Sequence, residues 1–495
     1  MNVLLISPAM KNYRRTSELP MALISIATFL TQHNHNVKVI DRLVKATNIE
    51  KIAEAFKPDF VGITLMYSKT IEDARKCAQV CRNHGAKIVY GGHLASNAPE
   101  LVLQENYVDF VIMGEGEHAW QEVLLAYQNG EDYSRIKGLA YKQKGQTIIN
   151  ECREFCNLAD LPPLDFSFVR PSDYFQTYNY CKKQVHLYSS KGCPARCAFC
   201  YNAHFHHSVH RTRPVEHVIE EIRSLINVYG ADGIYFEDEI LRTNPKDVAE
   251  FCAEMKNSGI NFVWGCKMRI GILKAEDYVQ MYESGCRWIF FGVETASKDM
   301  CSIIHKGIRL DDARKDISNC AKAGILPVSS FIVGLPDETS ENVYETAQFA
   351  KSLKESVIFC GYFVLFYGTE FYNKLLAEGR IPPVKKLDDM IEYPIIDDYF
   401  KVNYSKTPTR DLKVVRAYLL WWSFITPAPS KDDTGYSLMK KAFVESFRTV
   451  SRRGLLGLVA EIYSAMFVSV SFGFNLLCFP RIKKKYGLKL NRTQK

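Results

Sequence analysis

Gly192-Cys193-Pro194-Ala195-Arg196-Cys197-Ala198-Phe199-Cys200-Tyr201-Asn202 lies near the middle of a 495-residue chain and sets three cysteines in a CxxxCxxC array. Three thiolates on one short loop can hold three irons of a [4Fe–4S] cluster and leave the fourth iron open for chemistry. A four-cysteine ferredoxin would close that position, and a structural zinc site would want a fourth ligand at recognisable spacing. Cys193, Cys197 and Cys200 are therefore read as metal ligands. The bare spacing can arise by chance among 15 cysteines, so the surrounding sequence has to carry the reading.

The composition is ordinary for a globular protein, 47% hydrophobic and 24% charged, and the length allows two or three domains. The cysteines are odd in number and scattered. Met1 to Ile6 enters a short apolar strand without a basic leader, so a reducing cytoplasm is expected rather than a disulfide framework. A net charge of +8, with no basic stripe carrying interleaved aromatics ahead of the C-terminus, argues against a nucleic-acid partner.

Residues 1–135 alternate apolar runs with helical periodicity. Strands are predicted over 3–7, 37–41, 60–65, 87–90 and 108–113, with helices over 20–32, 49–56, 71–84 and 117–127. Five strands joined by crossover helices make an α/β, doubly wound parallel sheet of the Rossmann-like kind, with its ligand at the carboxyl ends of the strands. Residues 136–185 read as a linker holding a small hairpin around Gln143-Lys144-Gly145-Gln146. Cys152 and Cys156 lack a second pair at ligand spacing and read as solvated or half-buried thiols. From 186 to 390 the chain repeats strand and helix units, with about six parallel strands. Residues 391–495 form a different, mainly helical region, apolar over 455–479 and basic behind it.

The cysteine array, with its Gly-Cys-Pro lead and with Phe199 and Tyr201, resembles the signature of the radical S-adenosylmethionine (SAM) superfamily. The N-terminal segment is similar to the cobalamin-binding domain that precedes the radical SAM core in the class B family. The matching residues are Gly62-Ile63-Thr64-Leu65-Met66-Tyr67, Gly91-Gly92-His93 and Met113-Gly114-Glu115-Gly116-Glu117. The resemblance implies a partial TIM barrel over 186–390, its active site on loops at the strand ends. It also implies cobalamin held by Ser7, Thr64, Met66, Tyr67, Gly91, Gly92, His93, Gly114, Glu115, Gly116 and Glu117. Domains that ligate cobalt through histidine carry Asp-x-His-x-x-Gly, where this chain has Asp41-Arg42-Leu43-Val44-Lys45. No histidine is then expected beneath the cobalt, and Met66 or Tyr67 would cover that face. A flavodoxin-like domain with another ligand or none is the other reading, because fold class alone does not fix a ligand.

Three further segments resemble the SAM-binding parts of the family. Phe291-Gly292-Val293-Glu294-Thr295-Ala296-Ser297 matches the fourth-strand segment, and Phe331-Ile332-Val333-Gly334-Leu335-Pro336-Asp337-Glu338-Thr339 matches the fifth. Asp337 stands there where the family has glycine, and aspartate tolerates left-handed backbone better than most residues. Phe366-Tyr367-Gly368-Thr369 matches the Pro-Gly-Thr turn with tyrosine for proline. The SAM-binding set implied is Phe199, Tyr201, Asn202, Glu237, Arg269, Glu294, Ser297, Ile332, Gly334 and Tyr367. The acidic run at 237–239 reads equally as a solvated turn, Arg269 and Lys306 as surface ion-pair residues, and His204, His206, His207 and His210 as cover for the cluster.

The resemblance implies a cobalamin-dependent radical SAM methyltransferase, whose SAM chelates the open iron and yields a 5′-deoxyadenosyl radical. That radical activates a carbon that is no nucleophile, and methylcobalamin supplies the methyl group. A small-molecule or lipid-like substrate and a reducing partner such as flavodoxin or ferredoxin follow. A cyclase or rearrangement enzyme of the same domains, and a non-enzymatic cobalamin or redox sensor, are the alternatives. Residues 455–479 read as buried helices or, with the basic tail, as a peripheral membrane contact. No catalytic residue is assigned.

Overall fold

A computed structural model describes residues 1–10, 18–66, 68–178, 180–392, 402–425 and 485–486. The chain divides into two compact units. The first is built from Met1–Gln176, Lys182–Tyr235 and Val364–Asp397, and the second chiefly from Phe236–Phe363.

The first unit opens with β1 (Asn2–Ser7), α1 (Met21–Gln32), β2 (Asn36–Asp41), α2 (Ile49–Phe56) and β3 (Phe60–Thr64). It continues through α3 (Ile71–Asn83), β4 (Lys87–Gly91), α4 (His93–Asn97), α5 (Pro99–Leu103), β5 (Phe110–Ile112) and α6 (Glu117–Asn129). The hairpin β6 (Leu139–Gln143) and β7 (Gln146–Ile149) completes a sheet in the order β2-β1-β3-β4-β5-β6-β7. The first five strands pair in parallel. β6 and β7 add antiparallel, so the hairpin expected within a linker belongs to the sheet itself.

Alternation along the strands explains both faces of this sheet. Successive side chains of a strand point to opposite sides. Val3, Leu5 and Phe60 go to one core with Leu23, Ala27, Trp120 and Val123 of α1 and α6. Leu4, Ile6, Val61 and Ile63 go to the other with Ala53, Ala74 and Ala78 of α2 and α3. Both faces being covered, the strands read as nearly continuous apolar runs, as parallel strands do.

Further along come β8 (Gln176–Tyr178), β9 (Cys181–Leu187), β10 (Ser190–Lys191), α7 (Tyr201–Phe205), β11 (Arg211–Thr212), α8 (Val215–Arg223) and β12 (Gly233–Phe236). α8 runs on into a π turn over Ser224–Val228. Then follow α9 (Pro245–Asn257), β13 (Val263–Met268), α10 (Ala275–Glu283), β14 (Cys286–Glu294), α11 (Lys298–Ile303) and α12 (Leu310–Ala323). Last are β15 (Leu326–Val333), α13 (Ser340–Ser352), β16 (Val357–Tyr362), α14 (Glu370–Ala377) and α15 (Thr409–Ile425). The second large sheet has the order β16-β15-β14-β13-β12-β9-β8, the open arrangement of a partial barrel.

In the second unit β13 to β16 pair in parallel, each strand linked to the next by helix. Asn244 caps α9 by accepting from the Asp247 amide, with Pro245 at the first helical position, where its missing N–H costs nothing. Gly265 has no room for a side chain, because an added Cβ would meet the Trp288 ring at 2.1 Å.

Among the described residues no helix is long and apolar enough to cross a membrane. The stretch 455–479 and most of the basic tail lie outside the described residues, as does Tyr67.

Candidate active site

The cysteine loop hangs from a two-stranded ribbon. β10 and β11 pair antiparallel, Ser190 opposite Thr212 and Lys191 opposite Arg211, so residues 192–210 leave and return at one stem. Gly192 starts the loop at φ +85, and an added Cβ there would sit 2.1 Å from the Val209 carbonyl oxygen. Cys197 is buried, Cys193 and Cys200 are half-buried, and none forms a disulfide. The Cys200 amide donates to the Cys197 carbonyl at 3.0 Å, and Asn202 Nδ2 donates to the Cys193 carbonyl at 3.1 Å. Cys197 and Cys200 line a cavity of about 690 Å³ with Arg196, His207, Gly368 and Thr369. Three reduced thiols on one loop, with no fourth cysteine on it, are a donor set that fits a [4Fe–4S] cluster with one open iron.

α14 braces this loop. The Phe371 amide donates to the Ala198 carbonyl at 3.2 Å, and Thr369 caps the helix by accepting from the Tyr372 amide at 3.3 Å. Gly368 takes φ +78, which supplies the turn that Phe366-Tyr367-Gly368-Thr369 was expected to make. Tyr367 itself packs on the Tyr372 ring at 4.7 Å and against the N-terminal core.

The cobalamin-type residues gather at the carboxyl ends of β1, β3, β4 and β5. The Leu65 amide donates to the Gly91 carbonyl at 2.7 Å, and the Leu94 amide to the Leu65 carbonyl at 2.8 Å. Gly92 lies at φ +88, where an added Cβ would be 2.7 Å from Thr64 Oγ1. Gly114, at φ +79, faces open space and donates its amide to Ser96 Oγ at 3.0 Å. Met66 is 39% exposed at the end of β3. A rim of glycine backbone with one exposed thioether fits a large planar cofactor approaching closely. Asp41 is engaged elsewhere. It accepts from the Tyr174 hydroxyl at 3.0 Å and from the Leu43 amide at 2.9 Å. Burial raises its carboxyl above the ordinary range, and those donors, with the buried Ser7, offset part of the rise.

His93 is 6% exposed and sits within a ring of aromatics. Its centroid is 4.8 Å from Tyr201, 5.6 Å from Phe205 and 6.3 Å from Phe366, and Asn97 Nδ2 lies 3.0 Å from its Nε2. The tip of the N-terminal sheet thus meets the helix that ends the cysteine loop.

Glu115 and Glu117 have protein partners of their own. Glu115 Oε1 accepts from Arg211 Nη2 at 2.6 Å and lies 3.2 Å from Lys191 Nζ, while its Oε2 is 3.1 Å from Arg211 Nη1. Burial opposes ionisation of Glu115, but Lys191 and Arg211 outweigh it and hold the carboxyl at about 2. Glu117 accepts from Ser25 Oγ at 2.5 Å and lies 3.7 Å from Lys191 Nζ. Gly116 is crowded by Ile26. The sequence signal for Lys191 and Arg211 is slight, one basic residue on each side of the cysteine loop.

Six of the SAM-binding candidates, Glu237, Arg269, Glu294, Ser297, Ile332 and Gly334, lie in the second unit. Glu294 closes β14 at φ +68, beyond a register shift, and accepts from Lys306 Nζ at 2.9 Å. Gly292 makes room for that pair, since an added Cβ would meet Glu294 Oε1 at 2.3 Å. Arg269 Nη2 donates to the Lys306 carbonyl. Ser297 Oγ accepts from Asn342 Nδ2 at 2.8 Å, and Asn342 in turn forms the capping box of α13 with Thr339. Glu237 pairs with Lys267 at 2.5 Å. Ile332 is half-buried in β15. Gly334 turns at φ +86 and donates to Glu338 Oε2 at 2.6 Å, and Asp337 adopts φ +65. Phe199, Tyr201 and Asn202 belong to the first unit.

Residues 13–124 match the B12 binding domain and residues 187–350 the Radical SAM superfamily. An uncharacterised methyltransferase of Pyrococcus horikoshii is 28% identical over 475 residues, which is 94% of this chain and 99% of that protein. The bacteriochlorophyllide d C-8(2)-methyltransferase of Chlorobaculum tepidum is 24% identical, over 80% of this chain and 84% of that one. Among solved structures, the radical S-adenosylmethionine methyltransferase TsrM from Kitasatospora setae, with cobalamin and [4Fe–4S] cluster bound, has a TM-score of 0.64. It is 18% identical and covers 76% of this chain and 75% of its own. The cobalamin-dependent S-adenosylmethionine radical enzyme OxsB, with aqua-cobalamin bound, has a TM-score of 0.70 at 14% identity, over 98% of this chain and 74% of its own. These two share the fold.

The chain belongs to the class B, cobalamin-dependent radical SAM family and is methyltransferase-like. It is an enzyme whose cofactors are a [4Fe–4S] cluster, SAM and cobalamin.

Proposed function

We propose that this enzyme methylates an unactivated carbon of a small, apolar or lipid-like molecule. The observation that carries the reading is the packing of Tyr201, next to the last cluster cysteine, on His93 at the cobalamin-type strand ends, 4.8 Å between ring centroids. Chemistry at the open iron and methyl delivery from the sheet's edge both need their sites close together. When bound, the cluster and SAM supply one-electron bond cleavage, and cobalamin supplies a methyl carrier. The protein's own part is positional: Cys193, Cys197 and Cys200 hold iron, Glu294 and Lys306 offer paired charges to SAM, and the Gly91-Gly92 backbone lets cobalamin approach. Relatives named for methylating bacteriochlorophyllide d support an apolar acceptor. A reductant such as flavodoxin or ferredoxin would supply the electron.

Anaerobic reconstitution with iron, sulfide, cobalamin, SAM and reductant tests this. Both 5′-deoxyadenosine and S-adenosylhomocysteine are expected on addition of the acceptor. Deoxyadenosine alone would favour ring closure instead, in line with the anaerobic magnesium-protoporphyrin IX monomethyl ester cyclase of Cereibacter sphaeroides, 25% identical over 52% of that enzyme. Absence of both products despite a reduced cluster would favour a cobalamin or redox sensor instead.

A further inference from the structure

Glu115 stands in the turn between β5 and α6 of the N-terminal sheet, and its partners Lys191 and Arg211 face each other across the stem of the cysteine loop. Its carboxylate is thus bridged to both strands of the ribbon. Arg211 is fixed from two more sides: its Nη1 donates to the Cys156 carbonyl at 2.8 Å, and its guanidinium lies 4.4 Å over the Phe155 ring. Lys191 is fixed by Glu117, which Ser25 of α1 holds. The Cys156 thiol completes the cluster, 3.5 Å from Glu115 Oε2. Two acids and two bases balance here, none of their side chains more than 27% exposed, so the geometry is held by mutual pairing and loses its support when one member goes. A bidentate Arg–carboxylate pair also fixes direction as well as distance.

We propose that Glu115 is a positioning residue. It clamps the base of the cysteine loop to the strand ends that would carry cobalamin, and so fixes the distance from cluster to cobalt, rather than touching cobalamin itself. The proposal rests on the cofactor reading above. It predicts that loss of the clamp leaves both cofactors bound but lets the loop swing, so that radical formation and methyl transfer part company.

The test uses the full chain and the Glu115→Gln variant. Pulsed dipolar EPR between cob(II)alamin and the reduced cluster should give one narrow distance in the unaltered enzyme and a broadened or displaced one in Glu115→Gln. Glu115→Asp, which keeps the charge, should recover part of the narrow distribution. A residue that only adds stability would lower the melting temperature and leave the distance unchanged, and that result overturns the proposal. So does loss of cobalamin with the cluster intact, which would make Glu115 a direct contact. Hydrogen exchange of the cofactor-free chain gives a second arm: amides at Lys191 and Arg211 should exchange at least roughly tenfold faster in Glu115→Gln. Unchanged exchange would also overturn the clamp. If Glu115→Gln does not fold, Arg211→Lys, which breaks the bidentate pair and keeps the charge, takes its place in both arms. An unaltered enzyme that shows the narrow distance yet transfers no methyl group would sink the methylation reading and leave the clamp standing.

Discussion

Asn202, 2% exposed, donates its side-chain amide to the Cys193 carbonyl at 3.1 Å, so the residue two places past the last cysteine of the array holds the backbone of the first. The loop is tied to itself before any metal arrives. Replacing Asn202 with alanine strands that carbonyl, at about 1–2 kcal/mol. Iron content after reconstitution should fall while the far-ultraviolet circular dichroism stays unchanged, and full iron loading in the variant would refute the role.

Cys197 is the buried member of the triad. Cys197→Ala should abolish the visible charge-transfer absorption of the cluster and leave cobalamin binding intact. Cys152→Ala, at an exposed thiol of the segment before β8, should change neither.

Two glycines with left-handed backbone separate a steric demand from a conformational one. Gly130, at φ +67 beyond α6, has open space around it, so Gly130→Ala should cost only about 1 kcal/mol of strain. Gly192, at φ +85, is pressed against the Val209 carbonyl, so Gly192→Ala should displace the loop and forfeit most of the bound iron. Equal behaviour of the two variants in iron assay and thermal melt would refute this reading.

Burial pushes the Glu338 carboxyl up to about 8, only partly offset by the Gly334 and Leu335 amides. The folded state therefore holds a proton that the unfolded state releases near the ordinary carboxylate value. The associated stability is complete below that value and is lost as pH rises towards 8, at up to about 1.4 kcal/mol per pH unit. Glu338→Gln should flatten the dependence of melting temperature on pH between 5 and 8, within roughly the interval those two values define. A slope equal to that of the unaltered protein would count against it.

Arg213, directly behind β11, makes a buried two-point pair with Glu221, whose Oε1 also accepts from the Leu164 amide at 2.6 Å. Removing one member leaves a buried charge, at about 3–5 kcal/mol. Arg213→Met should lower the denaturation midpoint strongly, and Arg213→Met with Glu221→Met should recover much of the loss.

The strands of both sheets were legible because apolar runs of four to eight residues between helical periods carry the parallel-sheet pattern without help from distant contacts. All six barrel strands expected from 186 onward are present, from β9 to β16. The hairpin at 139–149 is legible in the sequence, but nothing local in a β-turn tells which sheet edge will receive it. For Glu115, which its motif marks as a cobalamin-type residue, the ion-pair partners Lys191 and Arg211 lie 76 and 96 residues further along. Pairings across such gaps leave no periodic trace. The glutamate and lysine at 294 and 306 are nearer, and their pair forms just beyond the register shift in β14.

The hairpin has a consequence for where the polypeptide can be cut. Ending the chain at residue 135 would strip β6 from β5 and bare a row of backbone donors and acceptors on a short apolar strand, a template for self-association. It would also remove Arg211 and Lys191 and leave Glu115 ionised with neither. The N-terminal sheet is therefore no detachable cassette. A soluble fragment would have to run past Thr212 to carry its own edge guard and its own counter-charges.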